Sequence, residues 1–191
     1  MARRLFNDLL AEGELLPSRL ETETDPLALF AQIASARPEI TAKVDATLAN
    51  LEKQAALMGK PNPHGDMLIH ACIRTGRQVS IVSNNSGIAI EAYLSARGLT
   101  RQVDGVFGRV PGEPSSMKPS PRLLLDAMEA APSIPADSIF IGDSARDVEA
   151  GRAAGVETIS YANKPGKENR LADAGAVIVA HSMKQITTAL E

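Results

Sequence analysis

Ser138-Ile139-Phe140-Ile141-Gly142-Asp143-Ser144-Ala145-Arg146-Asp147, continuing through Val148 to Gly155, is a short apolar run that turns at once into a helical pattern. Ser138 to Ile141 reads as a buried strand, because β-branched and aromatic residues sit in a run too short for a helix. Asp143 then stands at the carboxyl end of that strand, where open α/β sheets bind their ligands. Asp147 follows four residues later in the first turn of the next helix. Two carboxylates at a strand end are hard-oxygen ligands suited to Mg²⁺, which takes a few carboxylates together with water and substrate phosphate. An aspartate in such a place can also simply end a strand or cap a helix.

The flanking segments repeat this alternation. Met67 to Thr75 reads as a helix ending at Gly76, Gln78 to Val82 as a buried strand, and Ser86 caps a helix that runs to Gly98. Val103 to Phe107 is a weaker strand, and Ser120-Pro121 starts a helix reaching about Ala130. Beyond Gly155 the pattern runs strand Thr158–Ala162, helix Lys167–Ala174, strand Ala176–Ala180 and helix Met183–Leu190. Such alternation predicts an α/β fold: a Rossmann-like, mainly parallel sheet with helices on both faces.

The first sixty residues differ. Leu5, Phe6, Leu9 and Leu10 form one amphipathic stretch ended by Gly13, and Thr24-Asp25-Pro26 is a helix-start signal. Pro38 opens a longer helix with Ile40, Val44, Leu48, Leu51, Ala55 and Met58 at three- and four-residue steps, closed by Gly59. Pro61-Asn62-Pro63-His64-Gly65 is a linker, since two prolines and a glycine cannot continue a helix. The chain thus divides into a helical cap region, residues 1–62, and an α/β core, residues 63–191.

Composition narrows the function. With 44% hydrophobic residues, the 191-residue chain can bury a sizeable core, and a net charge of −3 with no long run of either sign argues against nucleic acid as a main partner. No apolar stretch approaches a membrane span, and Met1-Ala2-Arg3-Arg4 lacks a signal-peptide core behind it, so no membrane partner and a cytoplasmic location are expected. Cys72 is the only cysteine, which excludes an internal disulfide and a cysteine-based zinc cluster. It reads as a buried inert thiol. His64, His70 and His181 show no metal-ligand spacing.

Three elements with chemistry lie just past a strand or just before a helix. Ser83 and Asn84 end one strand and offer a hydroxyl and amides to a phosphate oxygen. Lys118 lies ahead of the helix that Ser120 starts, so its ammonium and the helix end can face one anion. Asp143 and Asp147 supply the metal side. Lys164 and Lys167, in the loop after Thr158–Ala162, and Arg109, after Phe107-Gly108, can each approach an anionic substrate or remain in solvent.

The order Ser83-Asn84, then Lys118-Pro119, then Gly142-Asp143-Ser144-Ala145-Arg146-Asp147 followed by Ala150-Gly151-Arg152-Ala153-Ala154-Gly155 resembles the second, third and fourth motifs of haloacid dehalogenase superfamily hydrolases. The helical unit resembles the cap inserted after the first strand in many members. The resemblance covers about residues 25 to 190. It implies Mg²⁺-dependent phosphoryl transfer, most often hydrolysis of a small phosphate monoester, with a small phosphorylated metabolite as partner and the helical unit as a lid. By that resemblance Ser83 hydrogen-bonds the transferring phosphoryl group, with Asn84 beside it. Lys118 neutralises that group and the nucleophile, and Asp143 holds Mg²⁺ with Asp147 in support.

One motif departs from the family. Its members carry Asp-x-Asp at the end of a central first strand, one aspartate attacking phosphorus and the other serving as acid and base. This sequence contains no Asp-x-Asp. Leu5-Phe6-Asn7-Asp8-Leu9-Leu10 has only a superficial likeness, because Asn7 is a poor nucleophile and the apolar spacing is helical. Uncatalysed phosphate monoester hydrolysis can call for ~10²¹-fold acceleration, against ~10²–10³-fold from one charge-stabilising donor. The chain as it stands is therefore expected to be inactive, with its central first strand missing. It is expected to begin downstream of its natural start, through a misplaced start codon or a truncated gene. The alternative is a non-catalytic remnant of the fold that binds phosphate or metal in a regulatory role.

Overall fold

The computed structural model describes residues 1–191. Nine helices and five strands follow one another in two blocks: α1 (Ala2–Ala11), α2 (Pro26–Ala36) and α3 (Thr41–Met58), then α4 (Gly65–Arg74), β1 (Ser80–Ser86), α5 (Gly87–Ala96), β2 (Gly105–Arg109), α6 (Arg122–Ala130), β3 (Ile139–Gly142), α7 (Ala145–Ala154), β4 (Glu157–Tyr161), α8 (Lys167–Asp173), β5 (Ile178–Ala180) and α9 (Met183–Leu190). All strand pairings are parallel, with helices between successive strands, as the alternation in sequence predicts. No helix is long and apolar enough to cross a membrane.

The helices start where the local chemistry dictates. Asp25 caps α2 by accepting from the Leu27 N–H at 2.9 Å, with Pro26 in the first helical position. Ser144 caps α7 and Gly155 ends it in the left-handed region at φ 72°. The helix expected from Pro38 begins instead as a single tight turn, Pro38–Ile40, and becomes α-helical only from Thr41.

The largest apolar cluster belongs to the helical region. Leu5, Leu9, Leu29, Phe30, Ile33, Val44 and Leu48 are fully buried there, and Met117 from the second block joins them. Each such Leu, Ile or Phe contributes about 1.5–3 kcal/mol relative to exposure. The α/β block holds only small clusters of three or four buried residues.

The sheet lies in two pieces. β1 pairs with β2, and β3–β4–β5 form a separate three-stranded sheet. Strands of a parallel sheet are ordinarily buried on both faces; here Ile81, Val82, Phe140, Ile141 and Ile159 are only half-buried, and Ile139 is exposed.

β1 also runs further than its apolar stretch predicts. Val82 pairs with Phe107 and Ser86 with Arg109, so Ser83, Asn84 and Asn85 oppose the single residue Gly108. The result is a bulge at the carboxyl end of the strand, a device that re-aims side chains at strand ends. Gly108 is required for it: a Cβ there would come 2.6 Å from the Gly87 nitrogen and 2.9 Å from the Asn85 oxygen.

Candidate active site

Asn84, Lys118, Asp147 and Asp143 are joined by a chain of contacts across the carboxyl ends of β1 and β3, and Ser83 stands beside Asn84 in β1. The bulge in β1 presents Ser83 and Asn84. The Ser83 hydroxyl accepts from the Asn85 N–H at 3.2 Å, which leaves its own proton free to be donated. Asn84 turns the other way. Its Oδ1 accepts from the Lys118 N–H at 2.8 Å and its Nδ2 donates to the Lys118 carbonyl at 3.0 Å. The amide that the sequence offers to a phosphate is thus engaged with the backbone of the neighbouring site residue.

Lys118 reaches between the two pieces of the sheet. Its side chain is 10% exposed, and its Nζ lies 2.7 Å from Asp147 Oδ1. The same ammonium donates to the Val82 carbonyl of β1 at 3.2 Å and stands 5.2 Å from the centre of the Phe140 ring on β3.

Asp147 is buried, and both its oxygens are taken. Oδ1 faces Lys118, while Oδ2 accepts from the Asp143 N–H at 3.0 Å, the Ser144 N–H at 2.9 Å and the Ser144 hydroxyl at 2.7 Å. Ser144 returns a contact to the Asp147 N–H, closing a capping box. Burial pushes the Asp147 carboxyl up, but the Lys118 ammonium and the hydrogen bonds from Lys118, Ser144 and the Asp143 backbone outweigh it and hold it below the ordinary aspartate value. Gly142 is closely packed against this carboxylate, leaving no room for a side chain.

Asp143 is the accessible carboxylate, half exposed at the end of β3. Asn163 Nδ2 donates to its Oδ2 at 3.2 Å, and Lys167 forms an ion pair with the same oxygen. A single open carboxylate fits Mg²⁺ as one ligand among water and substrate oxygens. Asp147 Oδ2 is filled by its three donors from Asp143 and Ser144, whereas Oδ1 has Lys118 as its one protein partner; through them the residue orients Lys118 and the Asp143 backbone. No group of three or more His, Cys, Asp or Glu side chains stands ready to hold a metal unaided.

Of the loop cations, Lys167 reaches the site and Lys164 remains exposed. Arg109 takes a third course, buried at 3% exposure beneath the bulge. Arg146, in the first turn of α7, contacts Asp25 at the start of α2 at 3.3 Å, linking the helical unit to the core above Lys118. Between them lies a groove of about 350 Å³ lined by Leu27, Ala31, Met117, Lys118, Ser120 and Arg146.

The sequence matches the profile of the haloacid dehalogenase-like hydrolases over residues 25–161. A phosphoglycolate phosphatase of Xylella fastidiosa, strain Temecula1, is 32% identical over 136 residues, covering 68% of this chain and 58% of the relative. A bifunctional riboflavin kinase/FMN phosphatase of Arabidopsis thaliana is 32% identical over 121 residues, covering 62% of this chain and 31% of that protein. The chain therefore spans less than two thirds of the length of these curated relatives. Among solved structures, CbbY of Rhodobacter sphaeroides in complex with phosphate superposes with a TM-score of 0.72 at 20% identity, over 97% of this chain and 88% of that one. The profile match covers well over half of the residues, and the solved structure shares the fold: the chain belongs to the haloacid dehalogenase-like hydrolase family.

Proposed function

We propose that this fold serves Mg²⁺-dependent hydrolysis of small phosphate monoesters, completed by a strand between β1 and β3 that carries the nucleophilic carboxylate. The observation that carries the reading is the Lys118 ammonium, held between the Val82 carbonyl of β1, next in sequence to Ser83, and Asp147 and the Phe140 ring on the β3 side, where Asp143 ends the strand. Phosphoryl transfer is mostly positioning and charge stabilisation. Ser83 donates its hydroxyl proton to a phosphoryl oxygen, Lys118 balances the developing charge, and Asp147 keeps Lys118 aimed. Asp143 supplies one carboxylate to Mg²⁺, which when bound supplies charge neutralisation at the phosphoryl oxygens.

The split sheet supports the completing strand. Strands lie roughly 4.8 Å apart, so one strand fits a gap of about twice that width. The groove under α2 has room for a small leaving group, and the phosphoglycolate phosphatases among the relatives make phosphoglycolate the first substrate to try.

The test compares residues 1–191 alone with a longer chain bearing an Asp-x-Asp strand ahead of Ala2, using phosphoglycolate and p-nitrophenyl phosphate with and without Mg²⁺. The expected result is no turnover for residues 1–191 and Mg²⁺-dependent turnover for the longer chain, abolished by Asp143→Asn. Turnover by residues 1–191 alone would overturn the missing-nucleophile reading. Phosphate or Mg²⁺ binding by both chains with turnover by neither would favour a non-catalytic binding role, for which the absence of any Asp-x-Asp is the supporting observation.

A further inference from the structure

Arg109 is the most buried charge in the molecule, its side chain 1% exposed. Its Nε donates to Asp45 Oδ1 at 2.7 Å and its NH1 to Glu52 Oε1 at 2.8 Å, both carboxylates lying on α3. One cation cannot balance two anions. Each carboxylate accordingly takes a backbone N–H as well: Glu52 Oε2 from Ser86 at 2.8 Å, and Asp45 Oδ2 from Gly112 at 3.1 Å. Arg109 NH1 also donates to the Asn84 carbonyl at 2.9 Å. Every outlet of this network on the β1 side thus ends on the bulge, at Asn84 and at Ser86.

A bulge has lost its ladder partners, and three residues here oppose one. Its shape must be held by something else. From below, the Arg109–Glu52 pair holds the backbone on both flanks of Asn85. From the side, Asn84 passes that position on to Lys118 through both of its amide contacts, and Lys118 passes it to Asp147 and the Asp143 loop.

We propose that Arg109, Glu52 and Asp45 form a positioning unit that sets the geometry of Ser83, Asn84 and Lys118 from helix α3, without touching substrate. The phosphate-handling role of Ser83 and Lys118 on which this acts rests on the function proposed above. The unit makes the Asp45–Glu52 segment of α3 part of the site's frame.

The test is amide hydrogen exchange on residues 1–191, read residue by residue by NMR, in wild type, Arg109→Met and Arg109→Lys, with inorganic phosphate titration as a second reading. In Arg109→Met, exchange at Ser86, Gly112 and Lys118 is expected to accelerate at least about fivefold beyond any change in α9, with Arg109→Lys between that and wild type, and phosphate affinity is expected to fall by a similar factor. An equal acceleration throughout the chain would mean that Arg109 adds only global stability, and would overturn the proposal. If Arg109→Met does not fold, Glu52→Gln keeps an acceptor for the Ser86 N–H but gives up the charge; faster exchange confined to Asn85, Ser86 and Lys118 supports the unit, and unchanged exchange there overturns it. Wild type that binds no phosphate would count against the proposed function alone, because the exchange pattern decides the positioning role without it.

Discussion

Asn84 holds Lys118 by the backbone: one side-chain amide accepts from the Lys118 N–H at 2.8 Å and donates to the Lys118 carbonyl at 3.0 Å, across 34 residues of sequence. The bulge that presents Ser83 and the loop that presents Lys118 are thereby tied together at the backbone by a single side chain.

Asn84→Ala removes both bonds and leaves two partly buried backbone groups unpaired. A net loss of about 1–3 kcal/mol in unfolding free energy follows from the usual worth of such bonds. Urea unfolding of wild type and variant measures it, and a difference indistinguishable from zero would show that the amide clamp is not maintained in solution.

Asp147 ties stability to acid pH. Its carboxyl is held below the ordinary aspartate value in the folded chain, so the folded state keeps it ionised more strongly than the unfolded state does. The contribution is fully present above the unfolded aspartate value of about 3.9 and is lost as pH falls through it toward the folded value. Asp147→Asn is therefore less stable than wild type at pH 7, and the gap narrows as the pH is lowered below about 4. Urea midpoints measured from pH 7 down to pH 3 check this; a gap constant with pH would remove Asp147 as its source.

The site was legible in sequence where its members are neighbours and hidden where they are not. Strand, aspartate and helix follow from Ile139 to Ala154 by local pattern alone; Ser83 and Asp143 fall toward the carboxyl ends of β1 and β3, and Lys118 falls in the loop ahead of α6, as the alternation implies. Ser144 and Asp147, three apart at a helix start, also carry a capping pattern that signals a carboxylate already engaged with backbone. By contrast, Arg109 follows a weak strand and gives no sign of burial, because its partners Asp45 and Glu52 lie 64 and 57 residues earlier. The bulge is equally invisible, since only the pairing of β1 with β2 shows Ser83–Asn85 facing one glycine. β2 itself ends at Arg109 rather than Phe107, because the ion network carries the extended backbone two residues past its apolar stretch.

Lys118 and Asp147 depend on each other. The two side chains are 10% and 7% exposed, so removing the ammonium alone leaves a carboxylate buried without its countercharge. Lys118→Met is expected to cost about 3–5 kcal/mol. The double variant Lys118→Met with Asp147→Asn should be destabilised by less than the sum of the single changes, with a coupling within about 0.5–3 kcal/mol. Additive single effects in equilibrium unfolding would mean that the pair does not form.

Gly108 offers the sharpest test of the bulge, because a single methyl group decides it. The site for a Cβ on Gly108 is bounded by backbone atoms, the Gly87 nitrogen at 2.6 Å, the Asn85 oxygen at 2.9 Å and the Gly87 Cα at 3.0 Å, none of which can rotate away as a side chain would. Gly108→Ala must therefore push the Asn85–Gly87 backbone off β2, at a cost of about 1–3 kcal/mol for overpacking. That displacement acts on the Ser86 N–H that donates to Glu52 and on the Asn84 carbonyl that accepts from Arg109. It also acts on the start of α5, which Ser86 caps. Gly76→Ala is an instructive control: Gly76 has open space around it but a φ of +74°, so its alanine variant reports backbone strain without crowding. Both variants lower the unfolding midpoint, but only Gly108→Ala shifts the NMR signals of Ser83, Asn84 and Lys118. A Gly108→Ala protein with wild-type signals at those three residues would show that the three-against-one pairing of β1 and β2 is not the arrangement in solution.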